Sequence, residues 1–184
     1  MRAKDSVRRP DCKPVQRRSA SLKLELAICN LKLRIPVAQV RRLRRHLRTA
    51  HRLVSSPLQE LSIALVGDAQ MSKLHRQFMN LAGPTDVLTF PLEQNARGQA
   101  TAGEIIICVP EARRQARWRR SRVEEELLLY ALHGMLHLNG MDDRTPAGFR
   151  KMHQSEDEIL TRLGVGAVFS SPRRRLPERT RRNF

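Results

Sequence analysis

The sequence predicts an α+β fold: a single layered domain with a sheet of about four strands packed by about five helices, and disordered basic tails at both ends. Three observations carry this. Segments with the two-residue period or continuous apolar character of strands are interleaved with segments whose apolar residues recur at helical spacing. The two kinds do not follow one another as a regular βαβ array, and no internal repeat is present. Large apolar residues are concentrated in the domain, 22–166, whereas the tails, 1–21 and 167–184, are rich in Arg, Ser and Pro. Such tails cannot bury enough surface to offset the entropy of ordering the chain.

In chain order, residues 22–29 alternate apolar and polar side chains, as a half-buried strand does. Residues 37–52 then place apolar positions at helical spacing within a heavily arginine-coated surface. Glu60–Val66 is a second strand. Asp68 suits an N-cap for the helix that carries Met71, Leu74 and Phe78, and the Pro84 region ends it. Strands follow at 87–92 and 104–109, the latter apolar enough to lie centrally. Pro110 fits the first turn of a short helix through Trp118, and Ser121 with Glu124 reads as a capping box for a long helix. A last helix at 147–163 ends at Gly164.

Composition narrows the function. The 184 residues carry a formal net charge of +17, and much of it sits at the ends. Residues 1–23 hold eight Lys/Arg against two Asp, and 171–184 hold six Arg against one Glu. Basic tails of this kind attract polyanions through counterion release, and RNA is the expected anion. Aromatic residues make up only 4%, so recognition by stacking bases on an aromatic sheet is not expected, and phosphates and shape should dominate. No apolar run reaches the length of a transmembrane helix. The basic N-terminus lacks the apolar core of a signal peptide. Cys12, Cys29 and Cys108 are odd in number and scattered, which gives neither a disulfide framework nor a C-x-x-C clip. A cytoplasmic location fits.

The chemistry is concentrated in His133-Gly134-Met135-Leu136-His137-Leu138-Asn139-Gly140-Met141-Asp142-Asp143. Residues i and i+4 of a helix share a face, so His133 and His137 can point at a common centre. Leu127, Leu128, Leu129, Ala131 and Leu132 precede them without a helix breaker. Gly140 gives a helix exit, after which Asp142 or Asp143 can swing back with an oxygen ligand. Two imidazoles and a carboxylate with an open position make a catalytic zinc arrangement. Gly134 costs roughly 1 kcal/mol of helix propensity relative to alanine, a poor choice unless something approaches the backbone closely. A peptidase of the H-E-x-x-H kind would need Glu at that position as general base, and its absence argues against one.

This stretch resembles the hallmark of the YbeY-type endoribonucleases, or rRNA maturation factors, H-G-x-L-H-L-x-G-x-D-H. The match runs from His133 through Asp142, with Asp143 where the family has its third histidine. A second hallmark, P-T-D-V-L-S-F, appears as Pro84-Thr85-Asp86-Val87-Leu88-Thr89-Phe90. Gly103-Glu104-Ile105-Ile106-Ile107-Cys108 is similar to the family's G-D-I-x-I-S strand, and Gln154-Ser155-Glu156-Asp157-Glu158-Ile159-Leu160 to its closing helix. The resemblance covers residues 22–164. It implies one Zn²⁺ per chain, held by His133, His137 and Asp143, with Asp142 and His153 as the other candidates for the third ligand. An aspartate in place of histidine lowers the net charge of the site and should raise the pKa of a bound water.

The second departure is upstream, where the family reads L-N-x-x-Y-R. Here Leu74-His75-Arg76-Gln77-Phe78-Met79 puts Met79 at the family's functional arginine. Arg76, one helical turn back, is the candidate catalytic substitute, against the plainer reading of a solvated surface arginine. His75 is a further cleft candidate. Asp86 and Glu104 are as easily loop anchors or edge charges as acid/base groups. The resemblance implies a single-strand-specific endoribonuclease acting on ribosomal RNA precursors of the small subunit (16S rRNA 3′ end maturation) and in ribosome quality control. The alternative is a ribosome-associated RNA-binding factor with a structural metal and weak or lost catalysis, which Met79 favours. No general base is evident.

Overall fold

The computed structural model describes residues 24–170 apart from 31, 32 and 34. The expected N-terminal tail lies outside the described residues, as does all of the C-terminal tail beyond Ser170. The elements are β1 (Glu25–Asn30), α1 (Val37–Leu53), β2 (Glu60–Val66), α2 (Asp68–Met79), β3 (Val87–Gln94), β4 (Ala100–Cys108), α3 (Val109–Arg119), α4 (Val123–Leu138) and α5 (Pro146–Arg162). Among the described residues the fold is α+β, a four-stranded mixed sheet with five helices.

Strand order is β1-β2-β4-β3. The first three strands are parallel, and β3 returns antiparallel along β4. Period-two alternation in the central strands divides the core. Leu61, Ile63 and Leu65 of β2 and Ile105 and Ile107 of β4 meet α1, α3, α4 and α5 on one face. Ala64, Val66, Ile106 and Cys108 meet Met71 and Leu74 of α2 on the other. β4 is buried along nearly its whole length, as expected of a strand covered on both faces. On the far edge the register of β3 shifts between Pro91 and Glu93 and again at Gln94.

Two helix starts differ from the sequence expectation for physical reasons. Asp68 lies inside α2 behind Gly67, because its carboxylate is taken by the Arg114 guanidinium at 2.7 and 2.9 Å. The start of α4 moves one residue on: Arg122 is the N-cap and its N–H donates to Glu125, while Ser121 Oγ donates instead to the buried Glu126. Cys29 is disulfide-bonded, which departs from the expectation that the scattered cysteines stay unpaired. Cys108 is a free thiol, and burial pushes it up to about 12, so it stays protonated.

Residues on the tail side of the expected boundary at 166 are fixed to α5. Val168, Phe169 and Ser170 donate backbone N–H groups to the Asp157 carboxylate at 2.6, 2.9 and 2.8 Å. Burial opposes the charged form of Asp157, but these donors outweigh it and hold the carboxyl below its ordinary value. A depressed carboxyl contributes stability that is complete above its unfolded value, roughly 3.9, and is lost as pH falls through the folded value. Asp157→Ala should therefore lower stability at neutral pH by about 2 kcal/mol. The difference from wild type should vanish in acid, as read by urea unfolding at a series of pH values. A difference independent of pH would assign the loss to packing alone.

Candidate metal centre

α4 approaches the sheet closely because it carries a glycine where it crosses β3 and β4. A Cβ on Gly134 would lie 2.8 Å from Thr89 Oγ1 and 2.9 Å from Ile105 Cδ1, so the close approach expected there is present. Leu127, Leu128, Leu132, Met135 and Leu136 are buried around it. The helix is thereby fixed in rotation, and its last two turns present His133 and His137, 22% and 29% exposed, at the surface.

Beyond α4 the chain reverses at Gly140, whose φ of +90° is a left-handed value that favours glycine. The following loop packs on the first turn of α5. There a side chain at Gly148 would collide with the Asp142 carbonyl oxygen, and Thr145 caps the helix by accepting from Gly148 N at 3.0 Å. This docking brings Asp143 back over the histidines. His133 Nε2 and His137 Nε2 are 3.0 Å apart. Asp143 oxygens lie 3.8 Å from the first and 3.6 Å from the second. Among the described residues these three are the group whose ligand atoms, all within 4.8 Å of one another, could hold a metal ion.

The outer ring nitrogens decide what this cluster needs. His137 Nδ1 lies 2.9 Å from the Met141 carbonyl oxygen, which can only accept, so that nitrogen carries the proton. His133 Nδ1 lies 2.8 Å from Glu156 Oε1. Glu156 is itself 1% exposed and takes His153 Nδ1 on its other oxygen at 2.6 Å. Burial opposes ionisation of Glu156, but the two histidine hydrogen bonds outweigh it and hold its carboxyl below its ordinary value. With both Nδ1 protons so placed, the two imidazoles in their neutral form present Nε2 lone pairs to each other and to the Asp143 carboxylate. Such an arrangement calls for a cation. Two nitrogens bound tetrahedrally to one zinc at 2.0–2.1 Å sit about 3.3 Å apart, near the observed separation, so the donor set fits. In the protein alone, burial opposes the charge on His133 but Glu156 and then Asp143 raise its pKa, while burial and then the His133 charge lower that of His137.

The other sequence candidates lie elsewhere. Asp142 is gripped by Arg144 Nε and Nη2 at 2.8–3.0 Å, which pulls its carboxyl down to about 2, so it faces that arginine. His153 holds Glu156 and stacks on Phe169 with ring centroids 3.7 Å apart, which makes it a support for His133. His75 bonds the Gly83 carbonyl at 2.9 Å. Asp86 accepts from Thr85 Oγ1 and Val87 N, each at 3.0 Å, a loop anchor. Glu104 is buried on β4. Arg76 is exposed in the last turn of α2, as is Met79. α2 packs on the sheet face opposite α4.

Sequence reasoning gave no role to Glu156 or Gly148. The signal for Glu156 was available: with Met152, Ile159 and Leu160 buried on α5, position 156 falls on the apolar face, and a carboxylate there requires partners.

The comparisons agree with this geometry. The family model of endoribonuclease YbeY matches residues 30–164. The endoribonuclease YbeY of Beutenbergia cavernae is 40% identical over 117 residues, covering 60% of this chain and 78% of that protein. That of Renibacterium salmoninarum is 37% identical over 134 residues, covering 69% and 84%. The solution structure of a Thermotoga maritima protein superposes with a TM-score of 0.52 at 26% identity, over 75% of this chain and 91% of that one. On the extent of these matches, the chain belongs to the endoribonuclease YbeY family.

Proposed function

We propose that this protein is a single-strand-specific, metal-dependent endoribonuclease that acts in the cytoplasm in ribosomal RNA processing, at the 3′ end of 16S rRNA, and in ribosome quality control. The observation that carries the metal-dependent part is the convergence of the His133 and His137 Nε2 atoms with Asp143 while both Nδ1 atoms face acceptors. Its relatives' name, endoribonuclease, supplies RNA as the substrate. The location follows from that substrate.

One zinc ion per chain, bound by His133, His137 and Asp143, would supply Lewis-acid polarisation of a phosphodiester and activation of water. The chain's own groups hold the ligand set. Glu156 and the Met141 carbonyl fix both imidazoles in the tautomer that offers Nε2. His153, stacked against Phe169, keeps Glu156 in place. The partly exposed side chains leave a side open to solvent through which an RNA strand can enter. The basic tails add phosphate attraction without base specificity.

The alternative reading is an RNA-binding factor with a structural metal. It is favoured by Met79 at the family's arginine. Cleavage of a single-stranded and a duplex RNA by zinc-loaded protein tests the two. The enzyme reading expects cleavage of the single strand, an increase in Met79→Arg, and a fall of about 10²–10³-fold in Arg76→Ala if that guanidinium stabilises charge at the phosphate. No cleavage by the natural protein and no rescue in Met79→Arg would establish the binding factor. Cleavage that neither substitution alters would remove the arginine from the mechanism.

A further inference from the structure

The arginines of α1 form a single stripe. At 3.6 residues per turn Arg41, Arg45, Arg48 and Arg52 fall within roughly 60° of arc, and all four are exposed. The opposite face buries Leu43, Leu47 and Ala50. With Arg44 and Thr49 the four line a shallow depression of about 350 Å³. The stripe runs for about 16 Å along the helix.

Nothing in the helix neutralises it. Val37–Leu53 contains no Asp or Glu. Arg42, on the flank, pairs with Glu124 at 2.6 Å, but among the described residues no ion pair joins Arg41, Arg45, Arg48 or Arg52. Like charges three and four residues apart each cost an isolated helix roughly 0.2–0.5 kcal/mol, and this stripe stacks several such pairs. The positive field reaches its neighbour: burial first, then Arg45 and Arg42, hold His46 below its ordinary value. A helix that accumulates self-repulsion in one line and forms a depression along it is arranged for an extended polyanion.

We propose that the α1 stripe is a second RNA-binding surface, which takes the phosphate backbone of a strand whose other end lies at the metal centre. Its position sets the length of RNA required. The Arg42–Glu124 pair fastens α1 to the beginning of α4, whereas the metal ligands occupy the end of α4. From Glu124 to His137 is about 20 Å along the helix. A short oligonucleotide seated at His133 and His137 does not reach the arginines, but a long one does. The surface reads charge, so it adds affinity and leaves cleavage-site choice unchanged. This rests on RNA being the ligand, and it does not require that the RNA be cut.

The test is binding of a fluorescent single-stranded RNA, long or short, to the full chain over a range of salt. It compares wild type with a variant carrying Arg41→Gln, Arg45→Gln, Arg48→Gln and Arg52→Gln. For single strands each lost phosphate contact makes log K against log salt shallower by about 0.7. The variant should lose affinity for long RNA with a slope shallower by up to about 3, should bind the short oligonucleotide as wild type does, and should keep its helix content. A control with Arg97→Gln, Arg117→Gln and Arg120→Gln, all exposed and outside the stripe, should move the slope little. Should the quadruple variant not fold, Arg41→Gln with Arg45→Gln, and Arg48→Gln with Arg52→Gln, should each give about half the change. Unaltered long-RNA affinity and slope overturns the proposal, also when the variant loses binding to polyglutamate or to anionic vesicles instead. An equal loss for short and long RNA overturns the spanning geometry. Because the readout is binding, a wild type that binds but does not cleave leaves this surface standing and removes the enzyme reading alone.

Discussion

His137→Ala should leave the purified protein without its metal. The substitution removes one of three convergent donors and leaves His133 Nε2 and Asp143 with no third partner. The loss of affinity should exceed the roughly 10–100-fold typical of outer-shell partners. Elemental analysis after dialysis against a weak chelator reads it: about one equivalent of transition metal in wild type, zinc if the donor set selects as expected, and almost none in the variant. Asp143→Ala should retain weakened binding through the two imidazoles, and Asp143→His should keep the metal. Equal metal content in wild type and His137→Ala would remove the centre altogether. Unchanged affinity in Asp143→Ala would reduce the ligand set to the histidine pair.

Glu156→Gln should produce the second largest effect, although its side chain reaches the metal only through His133. The carboxylate accepts from two histidines at once. An amide of the same shape offers one oxygen and turns an N–H₂ donor toward the other ring, so a buried donor faces a donor at His133, or His153 must give up its Nδ1 proton. Metal affinity should fall by about 10–100-fold, the range for lost second-shell acceptors of metal-ligating histidines. The metal-free protein should also lose stability, by about 1–3 kcal/mol for an unsatisfied buried polar group. Metal titration together with thermal unfolding in chelator separates the two. A variant that is less stable but binds metal with wild-type affinity would make Glu156 a structural residue only.

The legible parts of this molecule are those whose physics is local. The i, i+4 pair on an apolar helix announced a shared face, and Gly134 announced close packing, because both depend on a few consecutive residues. Glu60–Val66 was readable to the residue because its period is short and its flanks are polar. What escaped was set by partners distant in sequence. Ser121 looks like a cap until Glu126 and Arg119 close on each other behind it at 2.6 Å. Asp68 looks like a cap until α3 brings Arg114 to it. Glu156 reads as one of three acids in a row, and its place on the apolar face with Met152, Ile159 and Leu160 separates it from Glu158, which stays exposed, but the histidines it holds are not legible from that face. Arg76 marks where spacing arguments stop: one turn from Met79 is near along α2, but spacing along one helix does not fix its distance from ligands carried by another.

The ligands and their carboxylate support all come from α4, the loop after it and α5, a stretch of 133–156. In kinetic terms this is a helical hairpin whose ends meet by closing one short loop. The cost of closure grows only slowly with length and is smallest for such neighbours. The parallel pairings of β1 with β2 and of β2 with β4 need whole crossover helices to be laid down first. The metal-binding hairpin therefore belongs to the low-contact-order part of the chain, and its ligand geometry does not depend on the slowest pairings of the sheet.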